Sequence, residues 1–216
     1  MDDPQTFWRS ELQRFLPDPP RALQEALEYV CCPICQVLTR LPVEYFCLLP
    51  GRWPEEPDLR AVVTAAGGFC NPHSWRLMSM QSNVAVAVVF ADVLAGLAEH
   101  APETETICPV CYLERMASDV LLRLFVGRLE DDAERERTGT LFGLCYPHWR
   151  AVLRMKLPAP VRQFILDAQI AATARLRQQV QGFLDKSTIE LKWTRTRDES
   201  RAPRRALLKA AGNEGV

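Results

Sequence analysis

Cys32-Pro33-Ile34-Cys35 followed by Cys70-Asn71-Pro72-His73, and then Cys108-Pro109-Val110-Cys111 followed by Cys145-Tyr146-Pro147-His148, write one set of residues twice along a 216-residue chain. Each copy holds three cysteines and one histidine. The halves are 34 residues apart in the first copy and 33 in the second, and a Gly-Phe or Gly-Leu dipeptide (Gly68-Phe69, Gly143-Leu144) precedes the third cysteine each time. Four soft ligands of this mixture suit a closed tetrahedral zinc site, so the expectation is two zinc ions per chain in a tandem duplication.

The half-motifs read as helix starts. Proline is favoured at the first helical position, where its missing N–H costs no hydrogen bond. The ligands then project from helix N-termini, whose unpaired N–H groups and positive dipole end favour thiolate over thiol. A helix of about four turns, a loop and a returning segment (59–66 or 128–140) fill the spacer. Antiparallel segments of similar length bring their ends together, so each site is expected within its own copy, at the base of a helical hairpin. Cys32 and Cys35 recur after 76 residues but Cys70 and His73 after 75, which places a one-residue deletion in a loop. The breaker-rich stretch Gly51-Arg52-Trp53-Pro54-Glu55-Glu56-Pro57 is that loop in the first copy.

Helical periodicity runs throughout. Leu113, Ala117, Val120 and Leu124, with Met116, Leu121 and Phe125, form one apolar face. Val37, Leu38, Leu41, Tyr45, Leu48 and Leu49 match it in the first copy, with a kink expected at Pro42. A helix over 74–99 follows the first histidine and a shorter one starts at Trp149. Val161, Ile165, Ala168, Ala172, Leu176, Val180 and Phe183 mark a long helix from about residue 160. No run alternates as a strand would. The expected fold is all-α: two pseudo-repeated helical hairpins, each closed by a metal site, with the long C-terminal helix packed across them. Its parts are an N-terminal helical segment (1–30), a first metal-binding repeat (31–107), a second (108–160), and a C-terminal helix with a basic tail (161–216), in one compact domain.

A hydrophobic content of 48% with 25% charge is that of an ordinary globular chain able to bury a core. The start Met1-Asp2-Asp3-Pro4 is acidic where a signal peptide is basic, and the most apolar stretch, 84–98, contains Asp92 and falls short of the roughly 20 residues that span a bilayer. A cytoplasmic protein without a membrane contact is expected, and in a reducing compartment C-x-x-C pairs hold metal or do redox chemistry. Residues 192–216 carry seven basic and three acidic side chains. With no aromatic ladder or recognition helix, a solvated tail is preferred to a nucleic-acid contact, which the basic tail leaves open.

Two alternatives to zinc use the same residues. An iron–sulfur cluster also takes three cysteines and a histidine. A dithiol redox centre would need a βαβ context, and it leaves Cys70, His73, Cys145 and His148 without a role. Cys31 and Cys47 have no counterparts (Ile107 and Arg123) and read as non-ligating. His100 reads as a helix C-cap contact, Trp75 and Trp149 as packing over the sites, and Glu130-Asp131-Asp132-Ala133-Glu134 as a solvated helix face. No Ser/His/Asp set, phosphate loop or dinucleotide fingerprint is present, so the reading leans away from an enzyme. It favours an accessory protein with structural zinc and a protein partner. The alternative is a redox or metal sensor in which Cys31 serves as an extra thiol.

The duplicated C-P-x-C and G-x-C-x-x-H pattern resembles a family of bacterial proteins known as an uncharacterised domain. The resemblance covers nearly the whole chain and extends to Lys192-Trp193-Thr194-Arg195, Asp198-Glu199, Arg205-Ala206-Leu207-Leu208 and Gly212. It implies an ordered C-terminal segment and the ligands Cys32, Cys35, Cys70, His73, Cys108, Cys111, Cys145 and His148. It implies no activity.

Overall fold

The computed structural model describes residues 4–99, 106–139 and 143–213, and among them there are helices and no strands. The helices are α1 (Pro4–Phe15), α2 (Pro19–Ala26), α3 (Pro33–Leu38), α4 (Arg40–Arg52), α5 (Pro57–Ala65), α6 (Asn71–Met80), α7 (Asn83–Glu99), α8 (Pro109–Arg128), α9 (Asp132–Gly139), α10 (Tyr146–Leu153), α11 (Ala159–Asp185) and α12 (Arg197–Ala211). A short 3-10 turn, Lys192–Thr194, precedes α12. His100 and Thr140 lie outside the described residues.

Helix bounds follow the offsets seen in the motifs. Together α3 and α4 run from Pro33 to Arg52, and α8 runs from Pro109 to Arg128, 76 positions on. The next helices begin at Pro57 and Asp132, only 75 apart, because the intervening turn holds four residues (53–56) in one case and three (129–131) in the other.

Proline and polar caps account for the departures. Instead of a kink at Pro42, the chain breaks at Thr39, between α3 and α4. A proline clashes with the carbonyl four residues back, here Leu38, so the helix ends just there. Pro50 sits inside α4 and cannot bond the Phe46 carbonyl; the Gln81 side chain does so instead, at 2.7 Å. Gln81 is extended, and the Ser82 hydroxyl accepts from the Ala85 N–H, so the helix expected over 74–99 divides into α6 and α7.

The chain forms two compact units that do not coincide with the sequence copies: Met1–Asp18 with Leu38–Asp119, and Pro19–Val37 with Val120–Glu214. In the first, Phe15, Tyr45, Phe46 and Phe69 form a chain of ring contacts 5.2–6.1 Å apart, which ends against the His73 ring at 6.2 Å. Edge-on contacts of this kind add to area burial. Arg52 of α4 donates to Glu11 of α1 at 2.6 Å with both side chains buried, and also to Glu56. Leu48, expected in the core, is 47% exposed.

In the second unit α11 packs chiefly on α12, around Leu176, Ala202, Val180, Ala206 and Leu208. The long helix belongs to this unit, which holds segments of both sequence copies. Helix α12 turns the basic tail into structure. Thr196 and Glu199 form a capping box, and Lys186 holds Glu199 at 2.8 Å. The acidic run 130–134 is a solvated helix start as expected: Asp131 accepts from the Ala133 and Glu134 N–H groups, and Glu134 pairs with Arg128 and Arg137.

Candidate metal centres

The eight motif residues gather into two groups of four, Cys70, His73, Cys108 and Cys111 in the first unit and Cys32, Cys35, Cys145 and His148 in the second. Within each group the ligand atoms all lie within 4.8 Å of one another. Each group thus joins the C-P-x-C of one copy to the C-x-x-H of the other, which corrects the expectation that each copy closes its own site. Length explains the exchange. The 20 residues from Pro33 to Arg52 advance about 30 Å if helical, while the nine of α5 return about 13 Å. The returning helix leaves Cys70 and His73 well short of the start of α3, and α9, with eight residues, leaves Cys145 and His148 equally short of the start of α8.

Local sequence places every ligand at a helix N-terminus. Cys70 and Cys145 are N-caps in extended conformation, with proline at the second helical position and histidine at the third. Cys32 and Cys108 directly precede Pro33 and Pro109, the first residues of α3 and α8. The motif glycines serve the approach: Gly68 and Gly143 have φ of +94° and +74°, conformations that L side chains rarely adopt. Phe69 and Leu144, which follow them, are buried and anchor the turn.

The first unit's group is set around His73 Nδ1, with Cys70 Sγ at 3.2 Å, Cys111 Sγ at 3.4 Å and Cys108 Sγ at 3.5 Å, and Cys70 and Cys111 3.6 Å apart. Its other ring nitrogen, Nε2, lies 3.6 Å from the Glu114 carboxylate. Outer carboxylates of this kind orient a ligating imidazole and raise its basicity. In the second unit Cys145, Cys35 and Cys32 stand 3.1, 3.3 and 3.6 Å from His148 Nδ1, and Cys35 and Cys145 are 3.6 Å apart. No carboxylate among the described residues reaches His148, and position 38, which matches Glu114 at the 76-residue offset, is leucine. This group instead meets the end of α12. A Cβ at Gly212, where φ is +88°, would lie 3.2 Å from Cys35 Sγ, and Lys209, buried nearby, donates to Gln169 at 3.1 Å. Gln169 in turn donates to the Leu144 carbonyl.

Protons are shared unevenly within each group. Burial opposes the charged form of His73, but hydrogen bonds to Cys108 and Glu114 outweigh it and raise His73 to about 10. Burial likewise opposes charge on His148, which Cys145 and Cys32 raise to about 9. Against its own burial, Cys108 is brought down to about 7 by His73 and by backbone N–H groups of Cys111 and Cys70. Cys111 is pushed up by burial and by the Cys108 charge, and Cys35 by its bonds to Cys145 and Cys32. Each group is thus partly ionised. Its remaining protons are ones that a metal ion displaces on binding.

Cys31 and Cys47 stand outside both groups, Cys47 on the surface. Trp149 is half-buried against Tyr146, whereas Trp75 is 67% exposed and does not cover its site. Residue 75 aligns with Arg150 and not with Trp149, so the two tryptophans were never equivalent. Sequence reading missed Glu114, one helical turn beyond Cys111, and also Lys209 and Gly212, whose role depends on where α12 docks. No family model, curated protein or solved structure matches the chain.

Proposed function

We propose that the protein binds two structural zinc ions, one per unit, and serves as an accessory protein that contacts a protein partner. The observation that carries this reading is the gathering of all eight motif residues into two four-ligand groups. A tetrahedral zinc ion with Zn–S of ~2.3 Å and Zn–N of ~2.0–2.1 Å sets S···S at about 3.8 Å and S···N at about 3.5 Å. The observed sulfur pairs at 3.6 Å and sulfur–nitrogen pairs at 3.1–3.6 Å agree with that shape. An iron–sulfur cluster spreads its ligands over several irons and calls for a wider cage. Each ion would pin together segments far apart in sequence, the function expected of a closed structural site. A partner surface is supported by α7, where Val84, Val88 and Leu94 are exposed at 74%, 50% and 62%.

Metal analysis of anaerobically purified protein, with a visible spectrum, tests the reading. Two equivalents of zinc in colourless protein are expected; a coloured iron protein would overturn it.

One observation favours the sensor alternative for the first unit alone. Cys70 and Cys111 are half-buried, whereas every ligand of the second unit's group is buried, so oxidants reach the first group more easily. Cys31 is a poor extra thiol, because burial and then the neighbouring Cys32 charge push it up to about 11 and its Sγ donates to Gln36. Mild peroxide that releases one zinc reversibly, with helical content intact, would support this alternative; joint loss of zinc and helix would support the structural reading.

A further inference from the structure

The two groups of metal ligands have outer partners of opposite charge. Beside the first unit's group stands the Glu114 carboxylate, 3.6 Å from His73 Nε2. The second unit's group faces the Lys209 ammonium. Lys209 is only 7% exposed; burial disfavours its charge, and the Cys32 and Cys145 sulfurs favour it. Its Nζ donates to Gln169 Oε1 at 3.1 Å, and Gln169 donates in turn to the carbonyl of Leu144, the residue before Cys145. Gly143 leaves room for this arrangement, since a Cβ there would lie 2.9 Å from Gln169 Oε1 and 3.4 Å from Lys209 Nζ. At the matching Gly68 a Cβ would meet Val93 and Phe90 instead, so the equivalent place by the first group is apolar.

Three thiolates and a neutral imidazole around a divalent ion leave one net negative charge. A buried charge of either sign needs a partner. Cations and hydrogen bonds close to a ligand sulfur draw electron density from it and tune its chemistry. Given the zinc sites proposed above, on which this rests, we propose that Lys209 is the charge-compensating residue of the second centre. Its ammonium neutralises the three-thiolate site and keeps those sulfurs poor nucleophiles, whereas the first centre, flanked by Glu114, has the more reactive ones.

The full-length protein, purified with its metal, is treated with iodoacetamide, whose carbon bonds to a thiolate sulfur as iodide leaves. Zinc release is followed with a chromogenic chelator, and the modified cysteines are mapped by mass spectrometry. In the native chain Cys70, Cys108 and Cys111 should be modified before Cys32, Cys35 and Cys145. Lys209→Gln keeps a hydrogen-bonding side chain without the charge, and should speed zinc release from the second centre by about tenfold with the first unchanged. In cobalt-substituted protein the same variant should move the sulfur-to-metal charge-transfer band of one centre to lower energy, a shift that altered access alone does not produce. Native protein without zinc overturns this role and the zinc reading together. With two zinc ions bound, earlier modification of Cys32, Cys35 and Cys145, or a Lys209→Gln variant with unchanged release or an unchanged cobalt spectrum, overturns the role of Lys209 alone.

Discussion

Cys35 and Cys145 are 110 residues apart in the chain, yet their sulfurs stand 3.6 Å apart. That single proximity ties the two copies of the motif together and sets the test of metal-site assembly. Cys35→Ser with Cys145→Ser should lose one equivalent of zinc, because both serve one ion. Cys35→Ser with Cys70→Ser, which lie in the same copy, should lose two. Mass-spectrometric metal counts decide it; one equivalent lost in the second pair would mean that each copy closes its own site.

Glu114 supports only the first unit's group. Removing the outer partner of a metal-bound histidine lowers metal affinity by ~10–100-fold. Glu114→Gln should therefore speed chelator extraction of one zinc and leave the other unchanged, followed with a chromogenic chelator. Equal extraction from both sites would remove the role given to this carboxylate.

Zinc uptake should release protons. Near neutral pH His73 and Cys111 both hold protons that a metal ligand must give up, so at least two protons should leave the first unit's site per ion. Calorimetry in buffers of different ionisation enthalpy counts them. In metal-stripped protein the sign is opposite for stability: raised to about 10, His73 contributes stability fully present below its ordinary value near 6.5 and lost as pH rises through 10. Zinc affinity should climb over the same range. Zinc uptake without proton release would contradict the proton positions described.

Gly212 carries φ of +88° with two ligand sulfurs beside it. Gly212→Ala should cost ~1–2 kcal/mol in backbone strain and crowd Cys35 as well. A lowered melting temperature, with faster loss of the second unit's zinc alone, is the expected result. An unchanged melting temperature would show that the end of α12 does not press on the site.

Glu11 and Arg52 form a buried pair between α1 and α4. Truncating one member of such a pair leaves a buried charge uncompensated and costs ~3–5 kcal/mol. Glu11→Ala should lower the denaturation midpoint accordingly, with zinc content retained. Acid should weaken the same cluster: Arg52 holds Glu56 below the usual carboxylate range, so its contribution is present at neutral pH and is lost as pH falls through that depressed value.

The residues that hold the sites, their place at helix starts and the loop that absorbs the one-residue deletion could all be read from spacing, since proline, glycine and helical periodicity act over a few neighbouring residues. The burial of Leu113, Ala117, Leu121 and Phe125 follows from the same local rule. Which half-motif meets which could not be read that way. Cys35 has the same local chemistry whether it faces Cys70 or Cys145, and the choice turns on α5 and α9 being too short to retrace the helices before them. The partners of the sites were equally hidden: Glu114, Lys209 and Gly212 become relevant only once the chain has folded, because their effect depends on distances through space.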